Sequence, residues 1–259
     1  MHHRNVCLRV AYTTYPLTTF KKLVGPGLET SRLRKYIWYA NTRITIERHT
    51  EMLGSWIDHQ GFKSDIVSVT GAQMKEQKFH HTNLFAATNI PNLPLLETST
   101  DVTQPFNPQI LTATSGAANA GLDSCDVYGV GRAEFPPTLV DVLQEKGRAG
   151  RRPTASAATD WYLVCLSLET YVYLLRRAAD PSTAEYDTTY KSELVLELQQ
   201  TLEVLVLPKR CLQLTLETIS ANPFTPLDAT IADNCLPCGD SCSFCLGDYA
   251  RIFPKVRRL

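Results

Sequence analysis

Long hydrophobic runs are missing from this 259-residue chain. No stretch approaches the roughly 20 consecutive apolar residues that crossing a bilayer takes, so a membrane partner is not expected. The opening segment MHHRNVCLRVAYTTYP has an apolar run too short and too interrupted for a secretory signal. Net charge is missing too: Lys and Arg total 26, and Asp and Glu total 26. With no global field to draw in a polyanion, any nucleic-acid contact must come from local patches. Repeats and low-complexity tracts are absent. Cysteine is not scarce. Eight cysteines without a secretory signal favour reduced thiols and a metal site over a disulfide framework. A hydrophobic fraction of 44% is globular, and the length suits one large or two smaller domains.

The chain alternates strand-like and helix-like patterns. Residues 1–33 carry Pro16, Gly25, Pro26 and Gly27 as breakers and read as a linker or arm. Lys35 to Ala40 is a compact aromatic and β-branched run, suited to a buried strand. Ile46, Leu53, Trp56 and Ile57 recur at helical spacing, and Gly61 is a natural stop. Ile66–Val69, Ile110–Thr114, Val127–Val130 and Trp161–Cys165 are further strands, with helices expected over Gln73–Phe85 and Thr138–Lys146. Strands separated by helices of this length predict a parallel sheet covered on both faces over residues 34–179. After a boundary near 180, Leu194, Leu198, Leu202 and Leu205 recur at helical spacing, so residues 180–259 are expected to form a helical subdomain with a basic tail.

Three constellations in the sheet region carry chemistry. Asn41-Thr42-Arg43 follows the first expected strand, where parallel folds place ligand loops. Asn41 and Thr42 are also ordinary helix caps, and Arg43 is then a solvated neighbour. The run from Thr114 to Asp123 is rich in small residues, whose backbone N–H groups can approach a phosphate. Gln144-Glu145-Lys146-Gly147-Arg148-Ala149-Gly150-Arg151-Arg152 places two guanidinium forks on a tight turn, a geometry suited to a triphosphate held by another surface. The bland alternative is a basic helix terminus. A fourth constellation, Cys235-x-x-Cys238-x-x-x-Cys242-x-x-Cys245 with Cys211 upstream, offers thiolates at zinc-ligand spacing.

Taken in order, these motifs resemble the second motor lobe of superfamily 2 helicases, and the RecQ-like group in particular. The resemblance implies a RecA-like parallel sheet followed by a small helical zinc-binding subdomain. It implies that Arg148 and Arg151 contact the terminal phosphate of ATP, with Gln144 as a positioning group. It implies that Asn41, Thr42, Arg43, Ser115, Gly116, Gly121 and Asp123 couple nucleotide state to a DNA strand. For the metal it implies Zn²⁺ on Cys211, Cys238, Cys242 and Cys245; the local set using Cys235 in place of Cys211 stays open. Arg152-Pro153 departs from the family's usual Arg-Asp-Gly continuation.

Neither a Gly-x-x-x-x-Gly-Lys-Ser/Thr loop nor an Asp-Glu pair followed by histidine is present. In the resembling family those parts lie on a first lobe, so residues 1–33 are expected to lead from that missing lobe. ATP and Mg²⁺ are then expected to bind only when a partner supplies it. The expectation is one part of a 3′–5′ DNA helicase acting in recombination and repair in the nucleus, with DNA and a first-lobe-bearing protein as partners. The alternatives are a non-catalytic relic that binds nucleic acid or protein through its zinc end, and a fragment of an RNA helicase. On the helicase reading the Arg148 and Arg151 tips are expected to face the ligand-bearing rim of the sheet.

Overall fold

The computed structural model describes residues 6–30, 34–86, 108–118, 122, 127–151, 160–180, 188–206 and 211–221. Six strands form one sheet: β1 (Val6–Tyr12), β2 (Lys35–Ala40), β3 (Asp65–Val69), β4 (Pro108–Thr114), β5 (Val127–Arg132) and β6 (Asp160–Leu166). Their order is β1-β6-β5-β2-β4-β3, and all five pairings are parallel.

Parallel strands need crossovers, and the helices supply them. They are α1 (Pro16–Thr30), α2 (Arg43–Gln60), α3 (Lys75–Ala86), α4 (Ser115–Ala118), α5 (Leu139–Lys146), α6 (Leu168–Ala179), α7 (Thr188–Leu205) and α8 (Leu212–Ala221). The two sides of β2 show how they divide. Tyr36, Trp38 and Ala40 pack with Phe20 and Val24 of α1 and Ile46, Leu53 and Ile57 of α2. Ile37 and Tyr39 face the other way, into a core with Phe85 of α3, Val142 of α5 and Leu198 of α7. Successive strand side chains point to opposite faces, so a central strand must be apolar on both, as Tyr36 to Ala40 are. This is the parallel, two-faced α/β sheet that the sequence predicts. Among the described residues no helix is long and apolar enough to cross a membrane.

Helix α2 begins and ends where expected. Thr42 is its N-cap, accepting a hydrogen bond from the Thr45 amide at 3.1 Å. Gly61 closes it in the left-handed region, at φ 69°.

Two expectations need correction. Residues 1–33 are not merely an arm, because β1 and α1 belong to the fold. In β1 the residues Val6, Leu8 and Val10 alternate inward, and the strand pairs along β6 from Val6 to Tyr12. Leu17, Phe20, Val24 and Leu28 form a buried stripe on α1, which carries the helix through Pro26 despite the flanking glycines. The expected boundary at 180 likewise does not break the core. Leu198, Val204, Leu205, Leu212 and Leu216 of α7 and α8 are buried in the same cluster as β1 and α5. Burying such a side chain contributes about 1.5–3 kcal/mol, enough to make these helices part of the sheet's cover. The Tyr12 hydroxyl donates to the Leu205 carbonyl at 3.2 Å and fastens the two regions.

Candidate functional site

Helices leave the carboxyl ends of neighbouring strands toward opposite faces at β2. Its own successor, α2, packs on one face. Ala117 after β4 and Leu139 after β5 pack on the other. A reversal of this kind opens a crevice at the carboxyl rim. A cleft of about 600 Å³ lies there, lined by Asn41, Arg43, Gly71, Lys78, Thr114, Ser115, Gly116 and Asp141, among others. Four residues singled out from the sequence, Asn41, Arg43, Ser115 and Gly116, therefore converge on one place.

Their individual roles differ. Thr42 is exposed and serves α2 as its cap, so the capping reading holds for it. Arg43 is also exposed and makes a surface pair with Glu47 at 3.4 Å, an interaction worth little to stability. Its charge is available at the cleft mouth. Lys78 donates to the Gly71 carbonyl at 3.1 Å and sets a second cation on the same rim. Asn41 is not a cap. Its backbone amide donates to Glu134 Oε2 at 2.7 Å and its Nδ2 to the Phe135 carbonyl at 2.9 Å.

Beneath the cleft wall lies a charge that the sequence motifs do not reveal. Arg132, closing β5, is fully buried. Its Nη1 pairs with the equally buried Glu145 of α5 and donates to Ser115 Oγ at 2.8 Å. Nη2 donates to Asn41 Oδ1, and Nε donates to the Glu134 carbonyl at 3.2 Å. The Tyr162 hydroxyl donates to Glu145 Oε2 at 2.9 Å. Burial pushes the Glu145 carboxyl up, while Arg132 and the Tyr162 hydroxyl pull it back. Burial works against the Arg132 charge, but Glu145, Tyr162, Asp141 and Glu134 outweigh it and raise its pKa. The pair is ionic. Burial and Glu145 keep Tyr162 protonated, as a donor must be. The one local signal is a charged residue ending the apolar and glycine strand VYGVGR, since a buried charge demands a partner.

The arginine turn lies elsewhere. From the carboxyl rim, α5 runs back along the sheet, and the Gly150 amide donates to the carbonyl of Val127, the first residue of β5, at 3.2 Å. Gly150 has φ 69°, and a Cβ there would meet Val6 Cγ2 at 2.8 Å and Asp160 Oδ2 at 3.4 Å. Val6 and Asp160 are the first residues of β1 and β6. The turn therefore sits at the amino ends of the strands, not on the cleft rim. Because α5 must run antiparallel to the strands it connects, the backbone of the turn reaches their amino ends, while the charges of Arg148 and Arg151 still act on the Tyr39 hydroxyl of β2. Arg148 and Arg151 are half-buried, and Gln144 is exposed. Arg148 Nη1 donates to the Leu122 carbonyl. Arg151 Nε donates to the Gly147 carbonyl at 2.7 Å.

Gly121, Asp123, Cys235, Cys238, Cys242, Cys245 and the basic tail lie outside the described residues. Cys211 is buried and immediately precedes α8. Among the described residues no group of three or more His, Cys, Asp or Glu stands together as a metal site.

No family model and no curated protein matches the chain. Several solved structures are similar to it. One is domain 2 of the DEAD-box helicase Mss116p bound to an RNA duplex, 16% identical over 83% of this chain and 76% of that one, with a TM-score of 0.45. Another is the Mycobacterium smegmatis helicase Lhr bound to single-stranded DNA and AMP-PNP, 16% identical over 77% of this chain and 29% of that one, TM-score 0.43. A third is the Pyrococcus furiosus Hef helicase domain, 22% identical over 61% of this chain and 27% of that one, TM-score 0.39. The chain thus spans less than a third of the Lhr and Hef chains. At these identities and scores none of them assigns a family or an activity.

Proposed function

We propose that the chain is a second motor lobe of an ATP-dependent nucleic-acid helicase, of the RecQ-like DNA type that its motifs resemble. The observation that carries this reading is the convergence of Asn41, Arg43, Ser115 and Gly116 on one cleft. In that cleft Arg43 and Lys78 offer cations, and the glycines leave room for a sugar–phosphate backbone. Backbone neutralisation of this sort is independent of sequence. The Arg148 guanidinium bonded at Leu122 links the arginine turn to the small-residue loop, as the motif order suggests.

The arginines act in trans on this reading. A nucleotide clasped by a first lobe approaches the amino-end turn while the strand lies in the carboxyl-rim cleft. Arg148 and Arg151 then offset the charge that develops on the transferred phosphoryl group, and Gln144 faces the nucleotide from α5. The chain alone does not turn over ATP. A RecQ-type first lobe supplied in trans, with DNA-stimulated ATP hydrolysis measured for wild type and Arg148→Ala, tests the assignment. Turnover that needs both proteins and is abolished in the variant supports it. Turnover by the chain alone, or none under any pairing, refutes it.

Zn²⁺ on Cys211, Cys238, Cys242 and Cys245, with Cys235 as the substitute ligand, belongs to the same proposal. The position of Cys211 just ahead of α8 supports a helix-borne ligand there. Zinc would supply a structural cross-link. One equivalent of zinc on the purified chain, absent from Cys242→Ser, is the expected measurement, and a metal-free chain overturns it. The separation of turn and cleft favours one further reading: a binding module without nucleotide chemistry. That reading leaves DNA affinity intact and gives no turnover with any first lobe.

A further inference from the structure

Arg132 connects three elements that the sequence holds far apart. Its fork reaches Asn41 after β2, Ser115 at the start of α4, and Glu145 on α5. Among the described residues no other arginine is buried. Asn41 and Ser115 line the cleft. Glu145 lies on the helix that ends in the arginine turn, and its carbonyl accepts the Arg148 amide at 3.0 Å. A displacement of the cleft wall therefore reaches Glu145 through one guanidinium, and reaches the turn through the rigid end of α5.

One position in this network is unfilled. Among the described residues, the buried Tyr39 hydroxyl has no hydrogen-bond partner, and the charges of Glu145, Arg148 and Arg132 all act on it. Buried polar groups are nearly always paired. Glu145 is the first of the charges that act on this hydroxyl, so a shift of α5 that brought its carboxylate within reach would satisfy it. An element with two arrangements is what coupling between distant sites requires.

We infer that Arg132 is a positioning residue: by clamping Glu145 of α5 to Asn41 and Ser115, it couples strand occupancy of the carboxyl-rim cleft to the setting of the Gly147–Arg151 turn. The inference rests on the strand-binding reading of the cleft and adds its regulation. Lysine at 132 keeps the charge but replaces the planar fork with a single nitrogen, which cannot stand where both Nη1 and Nη2 do and so cannot reach Glu145, Ser115 and Asn41 together.

The test follows amide hydrogen exchange at residues 147–151 in the full chain, free and saturated with a short oligothymidylate, with occupancy checked by fluorescence anisotropy. In wild type, saturation slows exchange at the turn by about fivefold or more, the usual range for coupled sites. Arg132→Lys, compared at the same occupancy, shows no slowing. Tyr162→Phe loosens Glu145 without touching the fork and retains the slowing, which separates coupling from general loss of stability. If Arg132→Lys does not fold, Glu145→Gln is read in its place. Slowing that persists in Arg132→Lys or Glu145→Gln overturns the inference, as does a wild type that binds the strand with no change at the turn. Either result leaves strand binding standing. A wild type that does not bind the oligonucleotide removes both.

Discussion

The carboxyl rim and the arginine turn sit at opposite ends of one sheet and are held in place by different means. The rim is organised by side chains around a buried charge: Arg132 gathers Asn41, Ser115, Glu134 and Glu145 from four separate segments. The turn is organised by backbone, through the Gly150 amide on Val127 and the left-handed φ of Gly150. The first kind of site is spread along the sequence and depends on the fold to assemble it. The second is contiguous, and its residues announce themselves without saying where the fold will put them.

That contrast gives substitutions with graded outcomes. The largest effect is expected at the rim. Arg132→Met leaves Glu145 buried without its counter-charge, a defect that typically costs about 3–5 kcal/mol. Urea denaturation measures the loss, and Arg132→Met with Glu145→Met recovers much of it, since apolar replacement of a whole pair is tolerated. A single variant as stable as wild type contradicts the ionic hub. Next comes the turn. Gly150→Ala and Gly61→Ala both force alanine to φ 69°, which costs about 1–2 kcal/mol. Only Gly150 also drives its new Cβ against Val6, whereas nothing lies within 4 Å at Gly61. Gly150→Ala is therefore the more damaging of the two, and equal losses would remove the close packing of the turn from the account.

These gradations bear on what the sequence makes legible. Strand β2, helix α2 with its Gly61 stop, and the strands β3 to β6 can be read because their apolar periodicity is local. Helix α1 is hidden by Gly25, Pro26 and Gly27, whose local preference yields to the buried stripe of Leu17, Phe20, Val24 and Leu28. The role of α7 is hidden differently: its leucines predict a helix but do not say that it covers β1. At the site, Asn41 and Ser115 stand out by their position after strands. Arg132 and Glu145 do not, because their meaning comes from each other.

Smaller effects sharpen the comparison away from both regions. His49 Nδ1 accepts from Trp38 Nε1 at 3.0 Å, and burial, then Arg48 and Lys21, depress its pKa to about 4. A base depressed in the folded state is neutral there, so the unfolded chain binds the proton more readily. Its contribution is complete above the ordinary histidine range near 6.5 and disappears as pH falls toward about 4. An NMR titration of the ring should place its midpoint near the lower value, and a midpoint near 6.5 refutes the buried setting. Arg43→Ala should be smallest of all in stability, within about 0.5 kcal/mol, because its ion pair with Glu47 is exposed.

The separation of the two regions is tested most directly by salt-dependent affinity for single-stranded DNA in two double variants. Arg43→Ala with Lys78→Ala is expected to weaken binding by about tenfold or more and to reduce the salt slope by about two, one for each phosphate that goes without its cation. Arg148→Ala with Arg151→Ala is expected to leave affinity and slope as in wild type. If the turn variant loses the strand while the rim variant keeps it, the cleft is not where the nucleic acid lies.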